Sequence, residues 1–270
     1  MTTSSIVWPH ASAAAMRPGS ALPGLPLPLL PLDKATLPVR LRHYWSAWLS
    51  RQSPAVAVAP PVIEALLDEL GTSGWRIRRN AARAIVHLCD AAQPTAVLEF
   101  GSGVSTVIFA ALARAHGWPM PIVSIEESPV YAERTRELLR RYGVADRVTV
   151  IVAPVEEQTL DGWRGFTYRT DDQAVVAALR GLRPDFLFFD GPASWLRSRR
   201  DCRYGNLLVA QRYAANGALF VADDAFRRRD RAILARWHAI DGVHVFGLFP
   251  LGRGLGLGML HPSPGATVAP

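Results

Sequence analysis

The chain has 270 residues, 49% of them hydrophobic and 20% charged, with a mean hydropathy of +0.10. Those values exclude a disordered or collagen-like chain and supply enough apolar material for one large domain with a small accessory piece. The net charge is +7, and Lys34 is the only lysine, so almost all of the basic charge is arginine. Such a skew more often follows from a GC-rich coding sequence than from a polyanionic partner, and nucleic acid is not the expected partner.

Residues 1–38 are rich in Ala, Ser and Pro and read as a flexible arm. The apolar run Leu22–Leu32 is broken by Pro23, Pro26, Pro28 and Pro31, and no basic segment followed by an unbroken apolar one precedes it. A spanning helix and a secretory leader are therefore not expected, and the reading is a soluble, cytoplasmic protein without a membrane partner. Cys89 and Cys202 form neither a metal-ligand spacing nor a disulfide framework, which fits a reducing compartment. Residues 39–93 read as a helical cap. Arg40–Arg51 carries Leu41, Tyr44, Trp45 and Trp48 at helical spacing, Pro61–Leu70 ends at Gly71, and Trp75–Ala92 places Ile77, Ala81, Ala84, Ile85 and Leu88 on one face.

After Pro94 short apolar strands alternate with helices. Thr95–Phe100, Pro121–Glu126, Arg147–Val152, Asp185–Asp190 and Ala218–Asp223 are the strands, with helices after the first (Val104 to Ala115) and second (Pro129–Tyr142). Val243–Phe249 and Leu255–Leu260, joined by a Gly-rich turn, read as a β-hairpin. The pattern predicts an α/β, doubly wound, mostly parallel seven-stranded sheet with a terminal antiparallel hairpin over residues 94–261, followed by a tail at 262–270.

In an open parallel sheet ligands bind beyond the carboxyl ends of the strands, so those residues carry the functional argument. The first strand runs into Glu99-Phe100-Gly101-Ser102-Gly103-Val104-Ser105-Thr106. Glycines there let the backbone approach a ligand, and the following helix offers free N–H groups. A nicotinamide fingerprint would have Gly or Ala where Thr106 stands. The second strand ends in Glu126, which suits ribose hydroxyls; a solvated strand-end charge is the bland alternative.

These segments, with SIEESP, RVTVIVAP, PDFLFFDGP and GALFVADDA in order, resemble the class I S-adenosylmethionine-dependent methyltransferases over residues 94–261. The resemblance implies a loop under the methionine moiety built from Glu99, Gly101, Ser102 and Gly103. It also implies a carboxylate grip by Ser105 and Thr106, a ribose ligand at Glu126, and an adenine-edge segment at Ala153 and Pro154. The resemblance also implies a cofactor contact at Asp190, which is the catalytic candidate.

Asp190, Asp223 and Asp224 stand at neighbouring strand ends and would repel unless something positive lies between them. Their order is similar to the metal site of catechol-type and sugar O-methyltransferases, which implies Mg²⁺ on Asp190, Asp223 and Asp224. A metal-free substrate contact and a structural role, with Asp224 capping a helix from Ala225, are the alternatives. The lysine base that the catechol-type enzymes place after the strand-four Asp is absent from Pro192-Ala193-Ser194-Trp195-Leu196-Arg197.

Arg197, Arg199, Arg200 and Arg203 after strand four, and Arg227, Arg228, Arg229 and Arg231 after strand five, read either as receptors for an anionic acceptor or as solvated faces. Trp163, Phe166 and Tyr168 read either as an acceptor-covering insertion or as core. The expected activity is methyl transfer to a small-molecule acceptor, at oxygen. The alternatives are a cofactor-binding scaffold and a nucleic-acid methyltransferase, for which no amino-methylation signature is present.

Overall fold

The computed structural model describes residues 59–71, 77–194 and 199–261, together with Leu32. The expected helix Arg40–Arg51, the tail 262–270, and Trp75, Arg76, Trp195 and Arg197 lie outside the described residues, as does the expected arm apart from Leu32.

Two helices precede the sheet: α1 (Pro61–Leu70), with Pro61 in its first turn and Gly71 beyond its end, and α2 (Arg79–Ala92). Then follow β1 (Val97–Phe100), α3 (Val104–His116), β2 (Ile122–Glu126), α4 (Pro129–Arg141) and β3 (Val148–Val152). Ser128 caps α4 through its side chain, which accepts from the Tyr131 amide, with Pro129 opening the first turn.

The chain continues through β4 (Val155–Leu160), β5 (Trp163–Tyr168), α5 (Gln173–Leu179), β6 (Phe186–Phe189), α6 (Tyr204–Tyr213), β7 (Ala218–Ala222) and α7 (Arg228–His238). It closes with β8 (Val243–Phe249) and β9 (Leu255–Leu260), whose bounds match the expected hairpin.

The main sheet has seven strands in the order β3-β2-β1-β6-β7-β9-β8. All pairs are parallel except β7–β9 and β8–β9. Its strands are apolar on both sides because both faces are covered. Val97, Phe186 and Phe188 face the cluster formed with α1 to α4, whereas Leu98, Leu187 and Phe189 face the cluster containing α5, α6 and α7. β1 lies between β2 and β6, so consecutive crossovers leave it in opposite directions and a crevice opens above its carboxyl end.

Two segments go beyond or depart from the expected pattern. The segment after strand three forms the separate antiparallel pair β4–β5. That hairpin packs against the apolar cluster under the sheet, with Tyr168 buried and Trp163 centred 5.3 Å from Tyr204. Of the two readings of these aromatic residues the packing supports core, and Tyr168 also forms part of the cleft wall. The helix after strand five starts at Arg228 rather than near Ala225, so Asp224 caps nothing. Asp224 has a φ of 62°, a left-handed conformation that turns its side chain toward the strand ends.

Candidate active site

The crevice above β1, β2, β6 and β7 is a cleft of about 930 Å³, whose walls include Gly101, Ser102, Glu126, Asp190, Arg203 and Asp224. That is at the upper end of the usual range for small-molecule sites, roughly 300–1,000 Å³.

Its floor is set by the turn after β1. Gly101 has a φ of 98°, and a Cβ there would lie 2.6 Å from the Gly191 amide nitrogen. Both conformation and space therefore demand glycine. Gly103 differs: its φ of 163° is extended, and an added Cβ would meet nothing within 4 Å. The volume over Gly103 is open, which is the cradle a ligand lying on this loop requires.

Beneath the loop is a buried carboxylate. Glu99 is fully buried and receives the hydroxyls of Ser105 (2.5 Å), Thr106 (2.5 Å) and Ser124 (2.7 Å). Burial raises its pKa to about 7, the three hydroxyls pull it down, and the Asp190 charge pushes it up. The Thr106 hydroxyl also accepts from the Gly103 amide at 2.9 Å. Glu99, Ser105 and Thr106 thus tie the glycine turn, the first turn of α3 and β2 together, and their side chains point inward rather than into the cleft. They shape the loop a ligand would meet.

Glu126 does face the cleft while remaining largely buried. Its carboxylate accepts from the amides of Ser102 and Ser128, each at 2.9 Å, and from the Ser102 hydroxyl at 3.3 Å. Burial raises its pKa, and those amides work in the other direction. Each oxygen retains lone pairs for a vicinal diol. Ala153 is fully buried and donates its amide to the Glu126 carbonyl, whereas Pro154 is exposed at the strand end. Of that pair only Pro154 presents a surface.

Asp190 is pinned beside Gly101 because its amide and that of Gly191 both donate to the Phe100 carbonyl, at 2.9 and 2.6 Å. Burial raises its pKa to about 6, the nearby Asp224 adds to this, and Arg203 opposes it. Asp223 is pushed up as well, by burial and then by Asp190.

The positive charge among these carboxylates comes from arginines. Arg203, with 7% of its side chain exposed, ion-pairs Asp224 (3.3 Å), Asp230 (3.2 Å) and Asp190 (3.8 Å). Arg227 reaches Asp224 at 2.7 Å, and Arg253 lies 3.6 Å from its other oxygen. Among the described residues no group of three or more His, Cys, Asp or Glu side chains has an arrangement able to hold a metal ion. The expected Mg²⁺ ligands Asp190, Asp223 and Asp224 are thus brought together, but around guanidinium groups.

The remaining arginines divide. Arg199 donates to Glu127 at 2.6 Å, and Glu127 also takes the Ala193 amide at 2.9 Å, so this pair straps the end of β2 to the segment after β6. Arg229 bonds the Ser194 carbonyl at 3.3 Å, while Arg228 is exposed on the cleft rim and makes no ion pair among the described residues. Arg200 and Arg231 are not part of the cleft wall.

Sequence reasoning assigned no site role to Arg253, Asp230 or Glu127. Asp230 stands among Arg228, Arg229 and Arg231 in the charged first turn of α7, so nothing local singled it out, and nothing local marked Arg253. Arg253 arrives because the β8–β9 turn docks on the loop after β7, through Ala225 and Phe226 amides that donate to Gly254 and Arg253 carbonyls at 2.9 Å.

Comparison with known proteins fits this geometry. Residues 98–225 match the family described as a methyltransferase domain. The chain is 32% identical over 199 residues to a catechol O-methyltransferase of Mycobacterium tuberculosis, covering 73% of this chain and 76% of that one. In structure it is similar to an SAH-bound methyltransferase of Podospora anserina, with a TM-score of 0.59, 17% identity, and coverage of 83% of this chain and 97% of that one. An O-methyltransferase of Bacillus cereus in complex with SAH shares the fold at a TM-score of 0.54 and 15% identity, covering 81% and 99%. With crevice, strand order and sequence kinship in agreement, the chain belongs to the S-adenosylmethionine-dependent O-methyltransferase family.

Proposed function

We propose that this methyltransferase acts on the hydroxyl of a small acceptor that also carries an anionic group, with Asp190 as the proton acceptor. The observation that carries the reading is the position of Asp190, at the end of β6, in the cleft and against the glycine turn, with its pKa raised to about 6. A carboxylate so tuned is ionised at neutral pH yet more basic than a free aspartate.

Glu126 would hold the ribose diol, Gly101, Ser102 and Gly103 would lie under the methionine portion, and Pro154 would border the adenine. The open space over Gly103 is what makes the turn fit that group. When bound, S-adenosylmethionine supplies a methyl group activated by its sulfonium. Asp190 takes the acceptor's hydroxyl proton, and the cleft walls hold the acceptor oxygen in line, where alignment supplies much of the rate. Arg228 and Arg229, exposed on the rim with guanidinium charge not engaged by carboxylates among the described residues, face the anionic end.

Label transfer from S-adenosylmethionine to catechol and to a carboxylated catechol tests both parts. Asp190→Asn should lower kcat on the order of 10²-fold or more, and wild-type kcat/KM should rise with pH through about 6 and then level off. Arg228→Ala with Arg229→Ala should raise KM for the carboxylated acceptor and not for catechol. Full activity in Asp190→Asn would remove the base assignment, and equal KM changes for both acceptors would remove the anionic one.

A further inference from the structure

The aspartates at the ends of β6 and β7 have the sequence order of a divalent-metal site, but their surroundings do not fit a divalent ion. Mg²⁺ requires about six oxygens near 2.1 Å in octahedral order. Here Nη2 of Arg203 lies between Asp224 Oδ2 at 3.3 Å and Asp190 Oδ1 at 3.8 Å, the position an ion bridging the two would need.

The guanidinium is also bound into the fold in a way no ion replaces. Its Nε donates to the Pro192 carbonyl at 3.3 Å, Nη1 to Asp230 at 3.2 Å and the Asp223 carbonyl at 3.4 Å, and Nη2 to the Asp190 carbonyl. Burial disfavours its charge, but Asp230, Asp224, Asp190 and Asp223 outweigh that and hold it protonated. With Arg227 and Arg253 also on Asp224, three guanidiniums face four carboxyls. A dication would therefore add charge to a site that guanidinium groups already bring near balance.

We propose that Arg203 is the resident cation of this cluster and a positioning residue for Asp190, so that this chain transfers methyl groups without a divalent metal. The inference rests on the proposed acceptor site. Arg203 grips both the carbonyl and the carboxylate of Asp190, fixing in one planar fork what an ion would otherwise orient.

The test is a Mn²⁺ titration of the EDTA-treated full-length protein, read by the paramagnetic signal of free Mn²⁺, alongside melting curves in Mg²⁺ and in EDTA. Wild type should show no saturable site to millimolar Mn²⁺ and no metal-dependent shift in melting. Its rate ratio in Mg²⁺ against EDTA should be about 1, since no metal has to activate the hydroxyl. Arg203→Met leaves the carboxylates facing each other and should gain Mn²⁺ binding; Arg203→Lys, which keeps the charge, should not. If Arg203→Met does not fold, the wild-type titration decides by itself. Saturable Mn²⁺ binding by wild type that Asp224→Asn abolishes would overturn the proposal, as would transfer lost in EDTA and restored by Mg²⁺. SAH binding, followed separately by calorimetry, reports on the cofactor site, so its loss would count against the proposed function and not against the role of Arg203.

Discussion

Glu99 shows how one side chain serves the cleft without touching a ligand. Its pKa of about 7 in the folded chain exceeds the ordinary 4.5, so the native state binds this proton more tightly than the unfolded chain. The resulting stability is fully present below pH 4.5 and is lost as pH rises to about 7. At roughly 1.4 kcal/mol per pKa unit this is on the order of 3 kcal/mol. Urea unfolding of the ligand-free protein should therefore weaken between pH 5 and pH 7.5, and Glu99→Gln should flatten that slope by its share, leaving the part that comes from Glu126, Asp190 and Asp223. An unchanged slope would contradict the buried-carboxylate account. Gly101→Ala meets two obstacles at once, a φ of 98° and a 2.6 Å approach to Gly191. It should cost about 1–3 kcal/mol of stability and lose cofactor binding, with denaturation and calorimetry as the two readouts.

Residues of this kind were partly legible. Glycine at 101 and carboxylates at 126 and 190 are visible because their chemistry is unusual at strand ends. That Ser105 and Thr106 point inward was not visible, because the partner that turns them, Glu99, lies on the preceding strand and pairs through space. Nor was the burial of Arg203, which in sequence is one arginine among several.

At the scale of elements, the contact between α6 and the β4–β5 hairpin sets the underside of the site. Asn206 of α6 donates to the Gly191 carbonyl at 2.7 Å, so the helix holds the turn that carries Asp190. A Cβ on Gly205 would lie 2.7 Å from the Trp163 ring and 2.8 Å from Thr167, which is fully buried. Replacing glycine with alanine normally favours a helix by up to about 1 kcal/mol. Overpacking costs typically 1–3 kcal/mol, and here it wins. Gly205→Ala should lower Tm and reduce kcat, checked by melting curves and label transfer; a raised Tm would mean that the hairpin yields. The role of this hairpin stayed open in sequence because WRGFTY carries aromatic residues that suit a lid and a core equally, and only packing against α6 decides. The start of α7 was placed three residues early because Asp224 looks like a helix cap, and its ion pairs to Arg203 and Arg227 claim the side chain first.

For the whole molecule, the doubly wound sheet was legible because near-continuous apolar strands alternating with helices have one economical packing, with both faces covered. The terminal β8–β9 hairpin was equally plain, yet its second task was not. By docking its turn on the loop after β7 it delivers Arg253 to Asp224 from the far edge of the sheet. The site is therefore assembled from four strand ends and one distant turn, and the carboxylates that imply a metal in sequence are balanced by arginines in space.

The central claim is that the crevice over the Gly101 turn is the cofactor site, with Glu126 on the ribose. Isothermal calorimetry with SAH tests it most directly. The account predicts saturable one-to-one binding to the wild type and affinity lower by about tenfold or more in Glu126→Ala, since each 1.4 kcal/mol lost is tenfold. Equal binding by wild type and Glu126→Ala, or no binding by either, would contradict it.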